Sequence, residues 1–401
     1  MIVAALRKKL AYQARQWAES ADVPLPENLA VNAPPAHVKA DLCLPWPLAA
    51  AKAAKKNPLE LARSLAERLS KVPEVESAQA SPPGFVNIMI KQTALCANLK
   101  AITLAPGSYG ADEGGPKTKV LIEFVSANPT GPLHMASGRG ATLGDSLVRI
   151  MKRLGRLAAA EYYVNDGGDR VVLLGESIQA RYKQSNGEAA KVPEKGYQGE
   201  YLLDLAKAAP AGHEAWDAKQ WGRYAMDALL ASHRDDMKAF DTHFDRWYLE
   251  SELFASGAVP KTLDYLKSRG MVFEKDDAVW LGTQAAEGST DDKDRVLVKR
   301  DGKPTYFLPD IAYHKDKYDR GFTRVIDIFG ADHHGYVPRM KAAIAALGKE
   351  PDSYHAIVHQ LIHLFRGTEA VKMSKRAGTF IPLRELIDEA GKDACRFFFA
   401  L

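Results

Sequence analysis

The chain has 401 residues, 46% hydrophobic and 26% charged, a balance that excludes disorder and predicts two or three domains with their own cores. No apolar run approaches the ~20 residues needed to cross a bilayer, so no membrane partner is expected. The stretch Met1 to Leu6 is too short for a secretory signal, and Arg7, Lys8 and Lys9 follow rather than precede it. Cys43, Cys96 and Cys395 are scattered and odd in number, which argues against a disulfide framework and fits a cytoplasmic location.

The net charge of +4 is uneven, with 13 Lys/Arg against 8 Asp/Glu in residues 1–100 and a near-neutral remainder. A basic segment of this kind fits a polyanionic partner or a solvated helical face. Residues 1–105 read as a small α+β domain. Leu61, Leu65 and Leu69 recur at helical spacing after Asn57-Pro58. Gly84 to Ile90 alternates like a half-buried strand after a Pro-Pro-Gly turn. Residues 106–117 are a linker by composition. A second domain, 118–401, opens with Val120 to Val125, an apolar run suited to a buried parallel strand. Leu143, Leu147, Ile150, Met151 and Leu154 then form a helical stripe closed by Gly155, and Ala158 to Val164 reads as the next strand. This strand–loop–helix–strand order predicts an α/β fold. Residues at about 180–290 are more helical and polar and read as an insertion. Asp301-Gly302 predicts a hairpin between Arg295–Arg300 and Thr305–Phe307. Val325 to Phe329 and Ala356 to Leu361 read as two further strands.

Two segments carry chemistry. The first is the loop Ser126 to Gly140. It contains neither Gly-x-x-x-x-Gly-Lys-Ser/Thr nor Gly-x-Gly-x-x-Gly, which excludes the P-loop and the dinucleotide fingerprint. It is a polar, His-bearing loop that feeds a helix N-terminus, where free N–H groups suit a phosphate; a structural turn is the alternative. The second is Lys372-Met373-Ser374-Lys375-Arg376, three cations that repel unless an anion neutralises them. Together the two segments make a polyphosphate clamp; taken alone, the second reads as solvated surface.

These segments resemble the two signatures of class I aminoacyl-tRNA synthetases, Asn128-Pro129-Thr130-Gly131-Pro132-Leu133-His134 standing for the His-x-Gly-His region and Lys372 to Lys375 for Lys-Met-Ser-Lys. Glu123 to Pro132, Asp291 to Val296, Pro304 to His314 and Gly330 to Arg339 are similar to the arginyl-tRNA synthetases among them. The resemblance runs almost unbroken from 119 to 400 and is weaker in 1–100. It implies a Rossmann-like parallel-sheet catalytic domain with helical or mixed insertions. It also implies an N-terminal domain that contacts the tRNA elbow near the D-loop. The implied reaction is activation of L-arginine with ATP and transfer to the terminal adenosine of tRNA(Arg). Mg²⁺ is expected with ATP, activation is expected to need bound tRNA, and a monomer is expected. The resemblance gives catalytic roles to His134, Ser137, Lys372 and Lys375. It places ATP against Pro132, His134, Ala136, Ser137, Gly138, Asp332, His333, Met373, Ser374 and Arg376. It places arginine against Glu123, Ser126, Asn128, Tyr306, Asp310 and His333. The guanidinium requires carboxylates in fork geometry, and Tyr306 and Asp310, four apart, are expected on one helix face.

Two departures matter. Ala136 and Ser137 replace the usual Gly and second His of the first signature, so a working variant and a weakened catalyst are both open. Gly391 to Leu401 resembles the junction to the family's helical anticodon-binding domain, so that domain is expected to be absent. Phe397, Phe398 and Phe399 predict an apolar partner surface. No protein-only metal site is expected, because the His359/His363 pair lacks the intervening Glu. A ligase acting on a non-tRNA acceptor and an idle RNA-binding paralogue are the rival readings.

Overall fold

The computed structural model describes residues 2–25, 29–111, 117–282, 293–360, 362, 365–366, 369–370 and 381–401, in two compact units, 1–111 and 112–401. In the first unit α1 (Ile2–Ala21), β1 (Leu42–Leu44), α2 (Trp46–Ala54), α3 (Pro58–Leu69), β2 (Val75–Ser81), β3 (Phe85–Ile90) and α4 (Gln92–Leu104) follow one another. The strands form an antiparallel sheet in the order β1-β3-β2. The Asn57 side chain starts α3 by accepting from the N–H groups of Leu59 and Glu60, with Pro58 at the first helical position. Leu61, Leu65 and Leu69 are buried against Val86, Ile88 and Ile90 of β3, which alternate with half-buried neighbours as the sequence predicts. Each fully buried leucine contributes roughly 1.5–3 kcal/mol, so this face holds the unit together.

The second unit begins with β4 (Lys119–Glu123), α5 (Met135–Arg153), β5 (Leu157–Val164), α6 (Asp169–Ser185), α7 (Tyr201–Lys207), α8 (Ala218–Ala239) and β6 (Arg246–Leu249). It continues through α9 (Glu250–Ala255), α10 (Ala258–Ser268), β7 (Val272–Lys275), β8 (Ala278–Leu281), β9 (Arg295–Val298), α11 (Phe307–Asp319) and β10 (Arg324–Gly330). It ends with α12 (Val337–Ala346), β11 (Tyr354–His359), α13 (Leu383–Ala390) and α14 (Lys392–Ala400). The central sheet is parallel, in the order β11-β10-β4-β5-β6, while β7, β8 and β9 form a separate antiparallel sheet. Val120, Leu121 and Ile122 are fully buried, as a strand covered on both faces requires.

Three details differ from the sequence reading. The segment read as an insertion contains β6, a strand of the central sheet, four residues too short to show a pattern. The helix expected from Gly140 starts at Met135, because His134 caps it. Asp301-Gly302 does turn the chain, but its second arm is a single bridge, Val298 to Pro304, before α11 begins. At the last helix, Phe399 packs against Phe240 and Arg396 pairs with Asp145 at 2.6 Å, whereas Phe397 and Phe398 are exposed.

The chain leaves β4 for β5 and β6 on one side, then returns to β10 and β11 on the other. That reversal opens a crevice at the carboxyl ends of β4 and β10, where open α/β sheets bind ligands. Gly144 seats α5 close to β4: a Cβ there would lie 2.1 Å from the Phe124 ring.

Candidate active site

A cavity of about 590 Å³ lies at this crevice and is lined by residues of the loop after β4, the start of α5, α11 and the ends of β10 and β11. The loop is under strain where it leaves the strand. Val125 has φ of +70° and Ser126 +41°, a region a β-branched residue rarely enters. Side chains from behind strap its backbone down. Tyr162 on β5 donates to the Ala127 carbonyl at 2.9 Å and accepts from the Ala127 N–H at 3.2 Å. His233 on α8 contacts the Gly131 carbonyl through Nε2 at 2.8 Å and the Tyr162 hydroxyl through Nδ1 at 3.1 Å. Tyr201 on α7 donates to the Thr130 carbonyl at 2.6 Å. The loop ends at His134, whose Nδ1 accepts from the Ala136 N–H at 3.2 Å as the cap of α5. With Nδ1 accepting, the neutral ring carries its proton on Nε2, a donor beside a helix N-terminus.

Behind the loop lies a row of three buried carboxylates. Asp327 on β10, Glu123 on β4 and Glu161 on β5 are register partners across neighbouring parallel strands, so all three point to one face. One face of α11 and the residue that ends it answer them with His314, Lys317 and Arg320, spaced three apart. Lys317 Nζ donates to Glu123 Oε2 at 2.6 Å and to Asp327 Oδ1 at 2.9 Å. His314 Nε2 lies 2.8 Å from Asp327 Oδ2, and Arg320 grips Glu161 with two bonds of 2.7 and 2.8 Å. Burial opposes the charge on Lys317, but Asp327 and Glu123 outweigh it and push its pKa up. Burial likewise opposes ionisation of Asp327, and Lys317 and His314 outweigh it, holding the carboxyl below its usual range. Asp310 differs. Burial pushes its carboxyl up to about 6, with the hydrogen bond from Tyr336 working the other way. Glu123, Asp310 and Asp327 all line the cavity; with Asp327 taken up by Lys317 and His314, Glu123 and Asp310 lie beside a helix N-terminus, an arrangement that can hold a planar cation and a phosphate side by side.

Two family models match the sequence: "Arginyl tRNA synthetase N terminal domain" over residues 2–90 and "tRNA synthetases class I (R), catalytic domain" over residues 205–398. The arginine–tRNA ligase of Elusimicrobium minutum is 53% identical over 366 residues, covering 91% of this chain and 67% of its own length. That of Oleidesulfovibrio alaskensis is 42% identical over 388 residues, covering 94% and 70%. The chain belongs to the arginyl-tRNA synthetase family. The fold agrees: Thermus thermophilus arginyl-tRNA synthetase superposes with a TM-score of 0.71 at 20% identity, over 98% of this chain and 74% of that one. The chain spans about two thirds of the length of its curated arginyl-tRNA synthetase relatives.

Of the residues expected at an arginyl-tRNA synthetase site, the cavity brings together Glu123, Ser126, Asn128, His134, Ala136, Ser137, Asp310 and His333. Three others lie outside its lining. Tyr306 caps α11 with its side chain 81% exposed, so it does not share the buried face of Asp310. Gly138 faces the other way on α5, where a Cβ would come 2.5 Å from Phe399. Pro132 precedes the helix within the strapped loop and does not reach the cavity. Lys372, Met373, Ser374, Lys375, Arg376, His363, Asp291 and Asp292 fall outside the described residues, as does the side chain of Asp332. The sequence reading missed Lys317, Asp327, His314, Tyr336 and the loop straps Tyr162, His233 and Tyr201. The three-residue spacing of His314 and Lys317 on α11 and Arg320 at its end is the signal that marks a basic stripe facing the sheet.

Proposed function

We infer that this chain activates L-arginine with ATP and transfers it to the 3′-terminal adenosine of tRNA(Arg), releasing pyrophosphate and AMP. The observation that carries this is one cavity holding Glu123 and Asp310 beside the His134 helix N-terminus, in a chain of the arginyl-tRNA synthetase family. Glu123 and Asp310 take the guanidinium, and Asn128 takes the amino acid's polar head. An oxygen of the arginine carboxylate attacks the α-phosphorus. The bond from that phosphorus to the bridging oxygen breaks and pyrophosphate leaves. The ribose hydroxyl of tRNA then attacks the acyl carbon, gives up its proton and displaces AMP. Positioning and charge stabilisation do most of this work. His134 donates from Nε2 to the phosphates, with Ala136, Ser137 and His333 around the nucleotide. Lys372 and Lys375, flanking Met373 and Ser374 and followed by Arg376, neutralise the leaving pyrophosphate. Magnesium enters with ATP as part of the nucleotide substrate. The basic first unit contacts the body of the tRNA, and the reaction takes place in the cytoplasm.

Pyrophosphate exchange with tRNA present tests this reading. Exchange should depend on arginine and not on lysine. It should fall about 10²–10³-fold in His134→Ala, the scale for losing one preorganised donor. Exchange no faster than in that variant would sink the assignment and make Ala136 and Ser137 marks of a disabled catalyst.

A further inference from the structure

We propose that Lys317 is a positioning residue of the arginine pocket. It holds Glu123 by one carboxylate oxygen, so that the other, fixed by Ser126, is the oxygen presented to the substrate. This rests on the reading of Glu123 as a partner of the guanidinium. Lys317 is fully buried and lies outside the cavity lining, so it acts on arginine only through another residue. Its ammonium sits between Glu123 Oε2 and Asp327 Oδ1, at 2.6 and 2.9 Å, and over the Tyr313 ring at 4.3 Å. The second Glu123 oxygen, Oε1, accepts from the Ser126 hydroxyl at 2.8 Å.

The backbone makes this lysine necessary. Glu123 and Asp327 are register partners on parallel strands, so sheet hydrogen bonding holds two carboxylates side by side whatever their charge. Buried like charges at that spacing cannot both stay ionised without a cation between them. Lys317 supplies the cation from α11, and the same helix carries Asp310 seven residues earlier, two turns away on the same side. One rigid helix thus fixes both proposed partners of the guanidinium, Asp310 directly and Glu123 through Lys317. The other groups that face this pair are His314 on Asp327, Tyr313 and Arg320 on Glu161, and Tyr354 near Asp327.

The test uses the full chain with Lys317→Met, Lys317→Arg and Glu123→Ala, and reads KM for arginine and for ATP between about pH 6 and pH 9. Lys317→Met should raise the arginine KM about tenfold or more and leave the ATP KM within about twofold, because a buried carboxylate has lost its partner. Its arginine KM should also fall as pH rises, since one of the two adjacent carboxylates now keeps a proton. Lys317→Arg should restore the parent's pH profile and most of the affinity. An unchanged arginine KM in Lys317→Met would overturn the proposal. So would a parallel rise of both KM values with no new pH dependence, which marks a purely structural lysine. Should Lys317→Met lose its cooperative melting transition, Lys317→Met/Asp327→Asn, with one carboxylate left, decides by the same split between the two KM values. Glu123→Ala separates the two readings. An unchanged arginine KM there removes Glu123 from the pocket, whereas a raised one beside a normal Lys317→Met removes only the role of Lys317.

Discussion

Asp310 binds its proton more tightly in the native state than in the unfolded chain, because burial lifts its carboxyl to about 6. The sign follows. The stabilisation from that proton is complete below about 4, the ordinary aspartate value, and is lost as pH rises through the folded pKa. Above that pH a buried carboxylate waits for a cation, which in the proposed function is the arginine guanidinium. Arginine should therefore raise the melting temperature more at pH 8 than at pH 5, and kcat/KM for arginine should climb through about 6 and then level. In Asp310→Asn both effects should disappear, and kcat/KM should fall about 10–100-fold, the worth of a hydrogen bond between charged groups. A pH step that survives in Asp310→Asn would assign it to another residue. Glu123, Asn128, His134 and Asp310 were legible in the sequence because each stands in a short signature of fixed spacing. Lys317 and Asp327 were not, since their role depends on which strands lie side by side and in what register. Glu123 and Lys317 are 194 residues apart, and no local pattern joins them.

Helix α5 shows how an element sets the site. Its first turns, Met135-Ala136-Ser137-Gly138-Arg139-Gly140, carry two glycines and a serine, and an apolar stripe appears only further along, so periodicity alone starts the helix too late. What extends it back to Met135 is the His134 cap together with close packing on β4. Gly144 is the point of contact, with the Phe124 ring 2.1 Å from where its Cβ would be. Gly144→Ala therefore sets a propensity gain of about 1 kcal/mol against an overpacking cost of about 1–3 kcal/mol. The cost should win, because Phe124 is fully buried with the Phe244 ring centred 4.5 Å away and cannot swing aside. A denaturant titration should show net destabilisation. Displacing α5 also moves the His134 end, so the ATP KM should rise; a variant as stable as the parent with an unchanged ATP KM would refute this account of the helix seat. The strand β6 makes the converse point. Four residues long, at the sheet edge, it gave too little alternation to separate it from the helices around it.

At the scale of the whole molecule, the proposed function divides the substrates between the two units by size. The proposed function puts arginine and ATP in the cavity of about 590 Å³ in the second unit, while a tRNA needs a charged surface of a different order. The excess of cations in residues 1–100 was visible in the composition, but its location was not. The structure gathers Lys8, Lys9, Arg68 and Lys71, with Tyr12, around a groove between α1 and the end of α3. Within it Lys9 pairs with Glu74 and Arg68 donates to Gln13 at 2.8 Å, so those two also serve the fold. Lys8 and Lys71, on the lining of the same groove, serve as the probes of tRNA binding. In Lys8→Glu/Lys71→Glu the KM for tRNA should rise, while the KM values for arginine and ATP, read at saturating tRNA, should not move. Phosphate neutralisation releases counterions, so the log–log salt dependence of tRNA binding should become shallower by about 1 for each phosphate the variant leaves unneutralised. That slope separates the two meanings a basic segment can have. A solvated helical face would give up its lysines with no change in slope, and an unchanged slope with an unchanged tRNA KM would move the tRNA off this groove altogether.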